Sequence, residues 1–97
     1  MSMKIKDDQW VWVVIQDPGP GEQLLGQHDR DNDLSFIPVF LEKDAATQCM
    51  NHLALERGHK YEAQAILYED LIPKTADQGF SLLLLNESGD VLERIET

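Results

Sequence analysis

His52, Glu56 and His59 recur at i, i+4, i+7, the spacing that would align two imidazoles and a carboxylate on one helix face and offer them to a metal. Gly58 interrupts that helix before His59, and the face lies opposite the apolar stripe, so the expected outcome is three solvated side chains. Asp29, Asp31 and Asp33 alternate in "DRDND" as at the start of a calcium loop, but Leu34 stands where that loop needs Gly and Phe40 where it needs Glu. An Asx-rich hairpin turn is the expectation there. Cys49 could act as a nucleophile beside a histidine base, yet it sits within the apolar stripe, where a thiol behaves as a small hydrophobe. No catalytic, metal or cofactor site is expected.

The loop "DPGPGE" (17–22) follows a β-type run, as a phosphate cradle does. Pro18 and Pro20 have no N–H to offer an anion, and Asp17 and Glu22 flank the loop with negative charge. No Lys-Ser/Thr pair follows in phosphate-loop spacing. A proline-stiffened connection is expected.

The elements that must position these residues follow from periodicity. "WVWVVI" (10–15) reads as a strand, 23–27 as a short strand, and "LSFIPVFL" (34–41) as a strand in which Pro38 marks an edge or bulge. Residues 42–58 read as a helix with Ala46, Cys49, Met50, Leu53 and Ala54 as its buried stripe. Residues 62–69 read as a strand. A short helix follows over 70–79, with Asp70 as N-cap and Pro73 in its first turn. A hairpin of 80–86 and 91–96 closes the chain. The order β-β-β-α-β-α-β-β predicts one α+β domain over residues 1–97, a mostly antiparallel sheet with two helices packed on one face.

The chain has 97 residues, 42% hydrophobic and 27% charged, with a net charge of −10. A chain of this length buries roughly 65% of its unfolded surface. The acidity disfavours nucleic acid and anionic membranes, whose recognition relies on Lys and Arg. One cysteine excludes an intramolecular disulfide. The segment "MSMKIKDDQW" lacks the apolar region of a signal peptide, and no apolar run is long enough to span a bilayer. A cytoplasmic location is the default expectation.

The more informative signal is apolar excess. "WVWVVI" and "SLLLLN" are apolar on both alternating faces, whereas a half-exposed sheet should alternate with polar residues. With two helices on one face, the other face needs a cover. This predicts an interface built from Trp10, Trp12, Val14, Leu82 and Leu84, and a homodimer formed through it. The competing expectation is that both strands are central and the loop 16–33 covers the second face. A non-enzymatic protein-interaction module that self-associates is the functional expectation, with an acidic inhibitor or immunity-type protein that neutralises a basic partner as the alternative.

Residues 37–95 also resemble an arrangement found in small bacterial domains. A strand ending in Val39-Phe40 enters a helix through an acidic turn and the pair Ala45-Ala46. A strand follows, then a short helix containing Leu71, Gly79, and a hairpin turning at Gly89. The SseB-type (enhanced serine sensitivity) N-terminal domain looks like this. Leu41 and Glu42 depart from it, standing where a Ser or Thr would open the helix. The resemblance implies an α+β sheet-and-helix module and carries no catalytic residues.

Overall fold

The computed structural model describes residues 6, 8–31, 33–53, 55, 57–76 and 79–95. Among these residues seven strands and two helices appear in the order β1 (Trp10–Gln16), β2 (Gln23–Leu24), β3 (Gln27–Asp29), β4 (Leu34–Val39), α1 (Lys43–Cys49), β5 (Tyr61–Leu67), α2 (Tyr68–Ala76), β6 (Ser81–Leu85) and β7 (Val91–Ile95). A 3-10 turn, Met50–His52, extends α1. The expected α+β class holds. The single, mostly antiparallel sheet is replaced by two: an antiparallel sheet β2-β1-β5 and a mixed sheet β3-β4-β6-β7 in which β4 and β6 run parallel.

Residues 23–29 join the two sheets. β2 pairs with β1 at Ile15 and Gln16, and three residues later β3 pairs with β4. The segment thus leaves one sheet and enters the other at Leu25 and Gly26. Leu25 N–H still donates to the Val14 carbonyl at 2.9 Å. Gly26 lies against the Phe80 ring, where an added Cβ would fall 2.9 Å from Cε1. A second tie stands at the end of β4: Phe40 and Trp12 exchange main-chain hydrogen bonds at 2.8 and 2.9 Å. These ties turn one face of β1 toward β4 and β6.

Pro38 marks a gap between two pairings of an inner strand, where an edge or a bulge was expected. The pairing of β3 with β4 stops at Phe36, and Phe40 bonds to Trp12 beyond it. Main-chain groups alternate sides along a strand, so the nitrogen of Pro38 faces the gap between those two pairings, where a missing N–H breaks no ladder bond.

The core has two halves. Val11, Val13 and Ile15 of β1 pack with Ile37, Val39, Leu82, Leu84 and Ile95 from the other sheet, and Tyr68 and Leu71 of α2 close that half. On the opposite side of β1 and β6, Val14, Leu83 and Leu85 pack with Phe40 and with Ala46 and Cys49 of α1. The helices therefore cover opposite faces, not one. The reason is connectivity: β1 lies between β2 and β5, and β6 between β4 and β7. Each is a central strand covered on both faces, which is why each is apolar on both.

Two helix boundaries also differ from expectation. α1 ends at Cys49, and after the 3-10 turn Leu53 is extended (φ −91°, ψ 153°) and packs against the second core half. Asn51 and His52 are weak helix formers, and a core contact for Leu53 outweighs another helical turn. Ala54, expected in the buried stripe, lies outside the described residues. α2 begins at Tyr68, directly after β5, so Glu69 and Asp70 occupy its first turn and Pro73 stands further in. The buried Thr75 hydroxyl is satisfied by donating to the carbonyls of Ile72 (3.1 Å) and Leu71 (3.4 Å).

The Gly26 contact is testable. Gly26→Ala is expected to displace the Phe80 ring and cost about 1 kcal/mol or more. Combined with Phe80→Leu, it should cost less than the sum of the single changes, because the ring that clashes is gone. Urea unfolding of the four proteins of the cycle gives the coupling, and strict additivity would show that the contact does not matter.

Candidate functional site

The loop after β1 is fixed by its own groups. Asp17, Gly19 and Gly21 adopt positive φ (53°, 115° and 83°). The Gly19 N–H donates to the Glu22 carboxylate at 3.1 Å, and the Glu22 N–H returns to the Gly19 carbonyl at 3.0 Å. The amide that a phosphate would seek is already used by a carboxylate.

Asp17 instead anchors the loop to the entry of β5. One carboxylate oxygen lies 2.7 Å from His59 Nδ1, and the other accepts the Lys60 N–H at 3.1 Å. The Asp17 N–H donates to the Lys60 carbonyl at 2.7 Å. The hydrogen bond to His59, followed by that from Lys60, holds the Asp17 carboxyl below its ordinary value of 3.8. His59 is thus engaged 42 residues away in sequence rather than on a helix with His52. Glu56, the third member of the expected face, lies outside the described residues.

The acidic hairpin behaves as a turn. Asp29 accepts the Asp31 N–H at 3.0 Å, an Asx turn, and Asp33 takes a positive φ of 49°. His28, at the start of this turn, bridges two partners: Nδ1 lies 3.1 Å from the Ser35 hydroxyl and Nε2 3.5 Å from the Asp33 carboxylate. A hydroxyl, an imidazole and a carboxylate in sequence have the composition of a nucleophilic relay. That relay needs a buried acid to fix the imidazole tautomer. The Asp33 side chain is 96% exposed, so the group serves as a latch across the β3–β4 hairpin. Cys49 is fully buried, and desolvation pushes its thiol above the ordinary range, which suits a core residue. Among the described residues, no three His, Cys, Asp or Glu side chains converge as metal ligands.

The five residues expected to form an interface separate. Val14, Leu82 and Leu84 are buried within the chain, at 1% exposure or less, and cannot reach a second molecule while the core is closed. Val14 faces α1, whereas Leu82 and Leu84 face the other core half. Trp10 is 58% exposed, and Trp12 is half-buried with the Lys43 ammonium 5.9 Å from its ring centroid, a cation–π contact. Opposite residues of an antiparallel pair share a face, so Trp10 and Trp12 lie beside Leu67 and Ala65 of β5. Ala65 is exposed and Leu67 half-buried. An apolar strip remains on the outer side of the three-stranded sheet, built from two of the five expected residues and two others.

On the opposite side of the same strands lies an open cleft of about 920 Å³. Val13, Ile15, Leu24, Ile66 and Phe80 supply its apolar lining. Gln16, Gln23, Gln27 and Gln64, four of the chain's seven glutamines, also line it. Glu22, His28 and Lys74 are its other polar groups of note, so this region is close to neutral on a chain of net charge −10. The arrangement offers hydrogen bonds and apolar contact rather than charge. Nothing in the spacing of these glutamines signals their convergence, because the fold brings four different strands, β1, β2, β3 and β5, together.

Among the described residues, no helix is long and apolar enough to cross a membrane. No family model, curated protein or solved structure matches the chain.

The Asp17 clamp predicts a pH response. A carboxyl whose folded pKa is depressed contributes its stability in full above the unfolded value, and loses it as pH falls through the folded value. Chemical unfolding followed below pH 3.8 should therefore show a decline in wild-type stability that is shallower in Asp17→Asn. Parallel curves for the two proteins across this window would show that the clamp contributes nothing.

Proposed function

We propose that this chain is a non-enzymatic protein-interaction module that self-associates through the outer side of its three-stranded sheet. The observation that carries this reading is the apolar strip of Trp10, Trp12, Ala65 and Leu67, in which a tryptophan 58% exposed stands at the open end of a strand otherwise covered on both faces. Aromatic side chains are enriched in protein contacts because they bury much area at little cost in rotamer freedom. The resemblance to SseB-type domains is compatible with this reading, since it implies a module without catalytic residues.

Light scattering behind a sizing column, over a range of concentrations, tests the proposal. The mass should rise toward that of a dimer with concentration. Trp10→Glu should shift the equilibrium toward monomer while changing unfolding stability by no more than about 0.5 kcal/mol, as expected for an exposed site. Trp12 is unsuited to this purpose, because it also packs against the core half beneath α1. A mass that stays monomeric at every concentration, or a dimer indifferent to Trp10→Glu, would overturn the reading.

A further inference from the structure

The edges of the two sheets are not equally protected. β2 has two residues and β3 three, too short to template a long pairing. β7 carries Glu93 and Arg94, and its register with β6 shifts between Leu84 and Leu85, an irregularity that breaks a flat edge. Charges, bulges and shortness are the usual devices against edge-to-edge pairing. β5 shows none of them in strength. It runs for seven residues, Tyr61–Leu67, in an unbroken register with β1, without proline, and with Glu62 as its one charge.

The hydrogen bonds at its ends fix which groups face outward. Asp17 N–H donates to the Lys60 carbonyl, and Tyr68 N–H to the Gln9 carbonyl. Both pairs continue the β1–β5 register, and hydrogen-bonded pairs recur at every second residue of an antiparallel ladder. Glu62, Gln64 and Ile66 therefore direct their main-chain groups to β1. Ala63, Ala65 and Leu67 direct theirs to the other side, where no strand pairs among the described residues. The bonds of Trp12 with Phe40 and of Leu25 with Val14, on the far side of β1, obey the same alternation.

We infer that a second copy of this chain pairs with β5 in antiparallel register centred on Gln64, joining the two three-stranded sheets into one of six strands. The inference rests on the self-association proposed above and seats the second copy at the edge of the same sheet, so that the apolar strip beside it is continued rather than covered. A two-fold axis at Gln64 uses all seven residues of the strand. Ala63 then faces Ala65 of the second copy in hydrogen-bonded pairs, Glu62 faces Ile66, and Gln64 faces Gln64. No like charges oppose each other, although the chain carries a net charge of −10. On the outer face the rows of Ala65 and Leu67 become continuous, with the tryptophans of both copies flanking them. On the inner face Gln64, which lines the cleft, meets its equivalent, so the neutral amide wall continues across the junction. Small side chains at Ala63 and Ala65 let the two main chains approach.

Directed cysteine cross-linking tests this register in the full chain. Gln64 would face its own copy at a non-hydrogen-bonded position, with Cα atoms about 4.5 Å apart, within the range a disulfide spans. Under mild oxidation Gln64→Cys should form a covalent dimer. Glu62→Cys alone should not, but an equimolar mixture of Glu62→Cys and Ile66→Cys should. The unsubstituted protein, whose Cys49 is buried, is the control. Ala65→Pro removes an outward N–H without touching the β1 ladder, and should abolish the dimer while leaving circular dichroism unchanged. A concentration-dependent dimer in which Gln64→Cys fails to cross-link would overturn the register and leave self-association standing. A protein monomeric throughout would overturn both.

Discussion

The paired main-chain hydrogen bonds between Trp12 and Phe40 set the geometry on which the rest of the molecule depends. β1 must accept β5 along one side and share its other side between β2 and the end of β4. Those two residues hold the sheets together at a single point. The crossing of residues 23–29 from one sheet to the other is the matching tie at a second point. Between the ties the sheets face each other across one core half, and α1 must pack on the other. Without such closure, a mixed sheet and a three-stranded sheet would be two separate and marginal layers.

This arrangement explains where polar chemistry is found. The interior is almost wholly apolar, and the buried Thr75 hydroxyl is satisfied within α2. The histidines and the cysteine that make defined contacts lie beside turns or in the core. His28 and Asp33 latch a hairpin, His59 and Asp17 tie a loop to a strand, and Cys49 fills space under α1. Each has a structural task that its burial and hydrogen bonds account for. What remains unaccounted for by the fold is surface: an apolar strip with two tryptophans, an unguarded strand edge, and a cleft rimmed by amides. These three features adjoin one another along β1 and β5.

The charge distribution sharpens the point. A net charge of −10 on 97 residues makes random self-contact unfavourable at low salt. An interface between identical copies must therefore be built where charge is sparse. β5 and the outer face beside it form such a region, and the acidic turns at residues 17–22 and 29–33 lie outside that strand. Repulsion elsewhere would then help to restrict association to one geometry, in the way that edge charges protect other strands.

Local pattern in the sequence determined a good deal. The strongly β-forming runs at 10–15 and 80–86, the proline-stiffened loop, the acidic Asx turn and the α+β class all follow from short-range chemistry, which is encoded within a few residues. Pro38 pointed to an edge or a bulge, and it lies instead in an inner strand, at the gap between two pairings. Only the tertiary structure decided what the apolar excess meant. A strand apolar on both faces is equally suited to the centre of a sheet or to an interface, and burial of Val14, Leu82 and Leu84 assigned them to the core while leaving Trp10 outside. Helix placement was likewise undetermined, because an amphipathic stripe fixes which side of a helix is buried and says nothing of which sheet face receives it. The end of α1 at Cys49 reflects a tertiary contact of Leu53 that propensity cannot anticipate. The contact of Asp17 with His59, and the placing of Gln16, Gln23 and Gln64 around one cleft, join residues distant along the chain, and such groupings are fixed by strand register, a long-range property that local spacing does not carry.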